Sequence, residues 1–294
     1  MTAVATRPER TAPAPSPPPG RAGSRLRSGA VVLLLTAYSL VAVGPLLFML
    51  LQSFRPSREI FNDPLGLPHE LYLDNYTEAW REAKFATYFT NSVLVVVAGV
   101  ALCTIVSAMA AYPLARYDFR GNGVFTAYFI AGLTLPIELA VVPIFYLLNS
   151  FGLVDSRLGL TLVYAATGVP FSVFVLAAFF RGLPRDLEEA ARLDGAGEFR
   201  IFLSVMLPLV RPALATVAIF QFVQLWNDFF FPLILLRDSD KYTLPVGLTH
   251  FFGEYQTDWG AVFAGLVITT APLVVLFLFL TRQIVSGLVA GMGK

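Results

Sequence analysis

Residues 183–212 read LPRDLEEAARLDGAGEFRIFLSVMLPLVRP, and this charged stretch lies between strongly apolar runs in the later part of the chain. The pattern predicts two short helices joined by a turn. Acidic residues that follow Pro184 favour a helix N-terminus, and Gly195 supplies the left-handed residue that commonly ends a helix. A second helix is predicted to open at Glu198, to close at Pro208 and Pro212, and to carry an apolar stripe of Phe199, Phe202, Leu203 and Met206.

One face of the first predicted helix carries little bulk. Ala190 and Ala191 allow another surface to approach closely, and Glu189 offers a negative charge to a cationic partner. The 183–212 segment is therefore predicted to be a docking element for another protein. The same pattern also fits an amphipathic segment that lies on a membrane surface, and this alternative stays open at the level of local pattern.

The spacing of these residues resembles the EAA loop of bacterial ABC importer membrane subunits. Glu-Ala-Ala at 189–191 is followed by Gly195 after three residues and by Val-Met-Leu-Pro at 205–208 after nine more. Val205 stands where the family usually has Ile, and Asp194 beside Gly195 resembles the sugar-importer version. The resemblance implies that the loop sits in a groove of the ATP-hydrolysing subunit, with coupling residues Glu189, Ala190, Ala191, Asp194, Gly195, Leu207 and Pro208.

The composition indicates a polytopic membrane protein. The 294 residues are 56% hydrophobic and 14% charged, with a mean hydropathy of +0.67, whereas soluble domains contain about 25% charged residues. The net charge of +1 indicates no nucleic-acid partner. Cys103 has no second cysteine to pair with, and His69 and His250 lie far apart in sequence, so we expect no disulfide and no metal site. No G-x-x-x-x-G-K-[ST] loop is present.

Six apolar runs are long enough to span a membrane. The sequence therefore predicts an all-α membrane protein with a disordered tail at 1–28, a first span and outer loop within 29–84, a core domain at 85–282 and a tail at 283–294. The outer loop includes a short helix near 75–83. The spans are predicted near 29–51, 85–114, 124–148, 158–180, 213–236 and 259–281.

The positive residues predict the orientation of the chain. With the N-terminus inside, 14 of the 21 Lys and Arg residues fall on inner segments and 7 on outer segments. Because cytoplasmic loops carry the excess of positive charge, both termini and the 183–212 segment are predicted to be cytoplasmic.

Polar residues within the predicted spans are candidates for a translocation pathway. In the fifth span, four polar positions fall in an arc of roughly 120°, and Thr216 lies just beyond its edge and widens it to roughly 140°. Trp226 adds a face for a sugar ring, and Glu138 lies between Pro136 and Pro143 in the third span. The alternative is that these groups join helices by hydrogen bonds. The candidates are Glu138, Thr216, Gln221, Gln224, Trp226, Asn227 and Asp228.

The resemblance extends over residues 30–294. The run LWNDF at 225–229 followed by Pro-Leu at 232–233, the run YTLPVGL at 242–248 and the ending GLVAGMGK at 287–294 resemble the maltose-transporter G-type permease. Met292 and the missing final glycine depart from that ending. The resemblance implies a type I importer permease in the bacterial plasma membrane, without enzymatic activity or a cofactor of its own.

The partners that the resemblance implies are an F-type permease, an ATPase dimer that binds ATP and Mg²⁺, an extracytoplasmic sugar-binding protein and membrane lipid. Two alternatives stay open. An importer of a non-sugar solute, such as a glycerol phosphodiester, shares every motif, and an ion-coupled secondary carrier would use Glu138 and Asp228.

Overall fold

The computed structural model describes residues 21–81, 84–251 and 257–292, and these residues are largely helical. The chain divides into two compact units at residues 48 and 49. In chain order the helices are α1 Arg21–Gln52, α2 Ser57–Asn62, α3 Asp74–Arg81, α4 Phe85–Arg116, α5 Asn122–Thr134, α6 Val141–Ser150, α7 Arg157–Arg181, α8 Asp186–Leu193, α9 Glu198–Ile201, α10 Leu207–Leu209, α11 Arg211–Trp226, α12 Phe230–Leu235, α13 Leu244–Gly247 and α14 Trp259–Met292.

Four described helices are long and apolar enough to cross a membrane, and the number rises to six if each of two bent helix pairs counts as one span. The predicted all-α membrane fold is therefore confirmed. The first helix begins at Arg21, inside the stretch predicted to be disordered, and α14 continues through the predicted tail to Met292. Residues 1–20, which make up most of the predicted N-terminal tail, lie outside the described residues.

The predicted third span bends by 96° between α5 and a 3₁₀ turn at Ile137–Ala140. The bend occurs at Pro136, because proline disfavours the helical conformation of the preceding residue and Leu135 accordingly adopts an extended ψ of 124°. Pro143 causes no second break. It lies in the first turn of α6, where a missing N–H removes no helical hydrogen bond.

The predicted fifth span is not one continuous helix, and this corrects the expectation for residues 213–236. Helix α11 ends at Trp226 and α12 begins at Phe230. The Asn227 amide donates to the carbonyl of Val223 (2.7 Å), and Asp228 Oδ1 accepts from the N–H of Phe230 (3.1 Å). Pro232 cannot donate to the carbonyl of Asp228, and its ring would collide with that carbonyl in a continuous helix.

Helices α4 and α7 form the most extensive helix pair, and two buried clusters lie along them. The first cluster contains Tyr88, Tyr164, Trp226, Leu235 and Leu244. The second cluster contains Tyr112, Phe180, Ile201, Met206 and Val217. Because Ile201 and Met206 belong to the 183–212 segment, this segment is seated on the ends of α4 and α7.

Candidate functional site

Helix α8 begins and ends close to the predicted positions. It starts at Asp186, two residues after Pro184, and Gly195 adopts a left-handed φ of +79° after its end. The Gly195 N–H donates to the carbonyl of Arg192, and the Ala196 N–H donates to the carbonyl of Ala191, both at 3.0 Å. This pair of bonds satisfies two carbonyls of the last helical turn and fixes the turn between the two short helices.

The two neighbouring glutamates of α8 have opposite environments. Glu189 is exposed, as its predicted docking role requires, whereas Glu188 is 4% exposed. Both carboxylate oxygens of Glu188 accept from the Arg116 guanidinium, at 3.0 Å from Nε and 2.9 Å from Nη2, and the Tyr112 hydroxyl donates to Oε1 at 2.9 Å. No local pattern in the sequence predicts this pairing, because Arg116 and Glu188 lie 72 residues apart.

The exposed side of α8 presents small, acidic and apolar groups together. Leu193, which the sequence did not single out, is 89% exposed at the end of the helix. Ala191 turns partly inward and packs against the second cluster. The exposed members of the predicted coupling set are Glu189, Ala190, Asp194 and Gly195.

The predicted apolar stripe of the second helix is divided between two faces. Phe202 and Met206 are buried, but Phe199 is 69% exposed and Leu203 is 44% exposed. The helix widens into a π turn at Phe202–Met206. We attribute this widening to Pro208, which has no N–H to donate to the carbonyl four residues earlier.

Leu207 and Pro208 are half-buried where the chain approaches α11. The helical stretch Glu198–Leu209 and helix α11 meet there at a bend of 75°. These two members of the predicted coupling set therefore lie at a bend between helices, away from the exposed side of α8.

Glu198 joins the two short helices. The Arg192 guanidinium donates to its carboxylate at 2.8 Å, and the Tyr117 hydroxyl donates to it as well. These two donors hold the pKa of Glu198 below its ordinary value. Because Arg192 and Glu198 are 40% and 56% exposed, solvent screens this ion pair.

The predicted pathway residues of α11 do not share one environment. Gln221 is buried, and its amide donates to the carbonyl of Gly168 (3.3 Å) and to the Ser172 hydroxyl (3.4 Å). The Trp226 indole is also buried and donates to the carbonyl of Thr269 at 2.9 Å. These contacts are those of the alternative interpretation, in which polar groups join helices. The hydroxyl of Thr216 bonds to the carbonyl of Pro212 in its own helix.

Gln224 and Asn227 lie on an exposed side of α11, together with Phe220, which is 46% exposed. The Phe220 ring stacks on Phe171 of α7 with the centroids 4.4 Å apart. Spacings of four and three residues place these three side chains on one helix face. The sequence had placed Gln221 on this face, and it had not singled out the aromatic pair.

Glu138 and Asp228 both lie at helix breaks. Glu138 is exposed in the 3₁₀ turn after Pro136, and Asp228 follows the end of α11. Asp228 Oδ2 and the Tyr164 hydroxyl are buried atoms, and the two side chains interact with each other. Within the described part of the chain, no group of three acidic, His or Cys residues could hold a metal ion.

Comparisons with known proteins identify the family. Residues 103–289 match the model of the family described as "Binding-protein-dependent transport system inner membrane component". The chain is 42% identical over 260 residues to the diacetylchitobiose uptake system permease protein NgcG of Streptomyces coelicolor, which covers 88% of this chain and 86% of the relative. It is 39% identical to the arabinooligosaccharides transport system permease protein AraQ of Halalkalibacterium halodurans, over 85% of this chain and 91% of the relative.

The fold is also that of a solved transporter chain. A chain from the crystal structure of a bacterial ABC transporter involved in the import of the acidic polysaccharide alginate superposes with a TM-score of 0.80, covering 91% of this chain and 99% of that one. The sequences are 24% identical, so this likeness concerns the fold alone. With its apolar helices and its match over residues 103–289, the chain belongs to the inner-membrane components of binding-protein-dependent transport systems, as a multi-pass permease subunit of the bacterial plasma membrane.

Proposed function

We propose that this chain forms half of the translocation pathway of an ATP-driven importer for an oligosaccharide. We also propose that conformational changes of the ATPase are transmitted to this chain through the 183–212 segment. The observation that carries the proposal is the exposed side of α8, where Glu189, Ala190 and Leu193 extend from a helix whose opposite side is held by a buried ion pair. An exposed face on a firmly seated helix suits docking of another subunit better than insertion into lipid headgroups.

The docking partner in this proposal is the ATPase subunit. A permease of this family works with a second permease, an ATPase and a solute-binding protein, and we propose that the second permease is of the F type. An arginine in a groove of the ATPase would pair with Glu189, while Leu193 and Phe199 would fill apolar positions of that groove. This arrangement requires the segment to be cytoplasmic, which agrees with the distribution of Lys and Arg residues.

The proposed pathway runs along the exposed face of α11 and past the two helix breaks. Gln224 and Asn227 offer amides that both donate to and accept from sugar hydroxyls, and the stacked pair of Phe220 and Phe171 offers an aromatic face. In membrane proteins, irregular backbone is tolerated where it lines a water-filled cavity. On this basis we also assign Asp228 and Glu138, which lie at the two helix breaks, to the wall of the pathway.

The choice of an oligosaccharide rests on the relatives. Three of them are named as permease proteins of systems for the uptake or transport of diacetylchitobiose, arabinooligosaccharides and starch degradation products. A glycerol phosphodiester has no such support. An ion-coupled carrier would leave the exposed side of α8 without a role.

Uptake by a complete transporter tests the proposal. The chain, its second permease, the ATPase and the binding protein are reconstituted in liposomes, and ATP-dependent uptake of labelled diacetylchitobiose and arabinotriose is measured. We expect uptake of one of these sugars, dependent on the ATPase. We further expect Glu189→Lys to lower it about tenfold or more, because a buried charge pair across the docking surface is lost.

Glu70→Lys is the matched control, because Glu70 is an exposed acidic residue outside the 183–212 segment. We expect this variant to transport at the rate of the unaltered chain. Equal uptake by Glu189→Lys, or uptake that continues when the ATPase is omitted, would contradict the proposal.

A further inference from the structure

Arg116 uses every hydrogen-bond donor of its side chain. A guanidinium group has five N–H donors. Nε and Nη2 each donate to the Glu188 carboxylate, at 3.0 and 2.9 Å. The remaining donors reach three backbone carbonyls: those of Phe180 (3.2 Å) and Leu183 (2.8 Å) from Nη1, and that of Pro184 (3.2 Å) from Nη2.

These five acceptors belong to three different parts of the chain. Phe180 is in the last turn of α7, Leu183 and Pro184 are in the irregular connection that leads to α8, and Glu188 is in α8 itself. Arg116 is the last residue of α4. One side chain therefore joins the ends of α4 and α7 to the start of α8. It does so across an irregular connection in which Pro184 has no N–H to donate.

The pairing of Arg116 with Glu188 is enclosed by protein. The two side chains are 3% and 5% exposed, in contrast to the partly exposed pair of Arg192 and Glu198 in the same segment. Solvent therefore screens the buried pair much less. A bidentate pair also fixes the orientation of both planar groups, which a lysine could not do.

Tyr112 extends the same contact to the second half of the segment. Its hydroxyl donates to Glu188 at 2.9 Å, and its ring lies against Phe202, with the centroids 5.2 Å apart. The ring also meets Phe180 edge-on at 5.5 Å. Both short helices are thus connected to α4 through residues of its last two turns.

We propose that Arg116 and Glu188 are positioning residues for coupling: they make α8 move together with α4 and α7, so that displacement of α8 by a docked ATPase is transmitted to the membrane helices. This inference rests on the proposed function and assigns a separate role to each neighbouring glutamate. Glu189 contacts the ATPase, and Glu188 connects that contact to the transmembrane helices.

The test measures whether α8 is held to α4. Spin labels are placed on Asp186→Cys in α8 and Met109→Cys in α4, both exposed positions, in the complete transporter in nanodiscs. Cys103 is fully buried and takes no label. We expect one narrow distance distribution that is the same with and without ATP, Mg²⁺ and vanadate. Arg116→Lys and Glu188→Gln are each expected to broaden it.

The second readout is the number of sugar molecules transported per ATP hydrolysed. We expect both variants to lower this ratio about fivefold or more, a typical size for the loss of coupling between two sites, while the ATPase still hydrolyses ATP. A residue needed only for folding would reduce the amount of assembled transporter and leave the ratio unchanged. Glu188→Gln nearly preserves the size of the side chain, so it serves if Arg116→Lys does not assemble.

Lys84→Arg and Asp240→Asn are the matched controls, since they alter an exposed ion pair that lies outside the 183–212 segment. Both are expected to leave the distance and the ratio unchanged. The inference is overturned if the distance in the unaltered chain changes with nucleotide, if Arg116→Lys and Glu188→Gln keep the narrow distribution or the full ratio, or if the controls have the same effect. The distances measured without nucleotide test the inference even if ATP-driven uptake is absent, an outcome that would contradict the proposed function separately.

Discussion

Gln221 and Gln224 lie three positions apart on α11, but the first is buried and the second is exposed. Gln221 donates to a carbonyl and a hydroxyl of α7, where a Cβ added to Gly168 would lie 2.6 Å from the glutamine oxygen, whereas Gln224 is exposed. Helical periodicity predicts one polar arc that contains both glutamines, but it could not show which part of the arc faces α7. That division depends on how closely the helices approach, and the close approach is set by Gly168.

The two glutamines therefore predict different outcomes. Gln221→Leu is expected to lower the thermal stability of the permease by about 1 kcal/mol, the usual size of a hydrogen bond between membrane helices. Gln224→Leu is expected to leave stability unchanged and to reduce sugar uptake about 3- to 10-fold, as for loss of one hydrogen bond to a hydroxyl. Thermal unfolding in detergent and initial rates of uptake distinguish the two. The reverse pattern would remove Gln224 from the pathway.

At the scale of elements, long apolar runs predicted helices well and predicted their interruptions poorly. The spans at 85–114 and 158–180 became α4 and α7 nearly unchanged. The run at 213–236 was broken at Asn227, where Asn and Asp cap the backbone and Pro232 prevents a continuous helix. Asn227, Asp228 and Pro232 are turn-forming residues, but the continuous hydrophobicity of the run around them favours a single helix.

A loop between elements carries a pH-sensitive contact. The Asp155 carboxylate pairs with Lys241 at 2.6 Å and accepts from the N–H groups of Arg237 and Asp238. The Lys241 ammonium and then these N–H groups lower the pKa of Asp155 to about 2 from its usual 3.8. The contact is therefore fully stabilising above about pH 4, and its contribution is lost as the pH falls towards and below 2.

We expect Asp155→Asn to lower the thermal unfolding midpoint at pH 5, and the difference from the unaltered chain to shrink as the pH approaches 2. The measurement is the unfolding midpoint of both proteins in detergent over this range. Asp118→Asn serves as the control, because Asp118 is exposed in the connection after α4. A difference that stays constant from pH 5 to pH 2 would show that the charge of Asp155 does not contribute.

For the whole molecule, the spacing of the motif predicted the family and the docking segment. The match of residues 103–289 to the family model confirms the family. What the sequence could not give is the connection between that segment and the membrane helices. The Arg116–Glu188 pair forms only when α4, α7 and α8 meet, and no local pattern marks either partner. Leu193 was likewise missed, because its 89% exposure depends on which side of α8 the buried pair turns inward.

The central claim is that the exposed side of α8 faces the cytoplasm and is covered by an ATPase. Leu193→Cys tests it directly, since the native Cys103 is fully buried and does not compete for a maleimide that cannot cross membranes. We predict labelling in inside-out vesicles, no labelling in right-side-out vesicles, and strong protection when the ATPase subunit is assembled on the permease. Labelling from the outside, or equal labelling with and without the ATPase, would contradict the account.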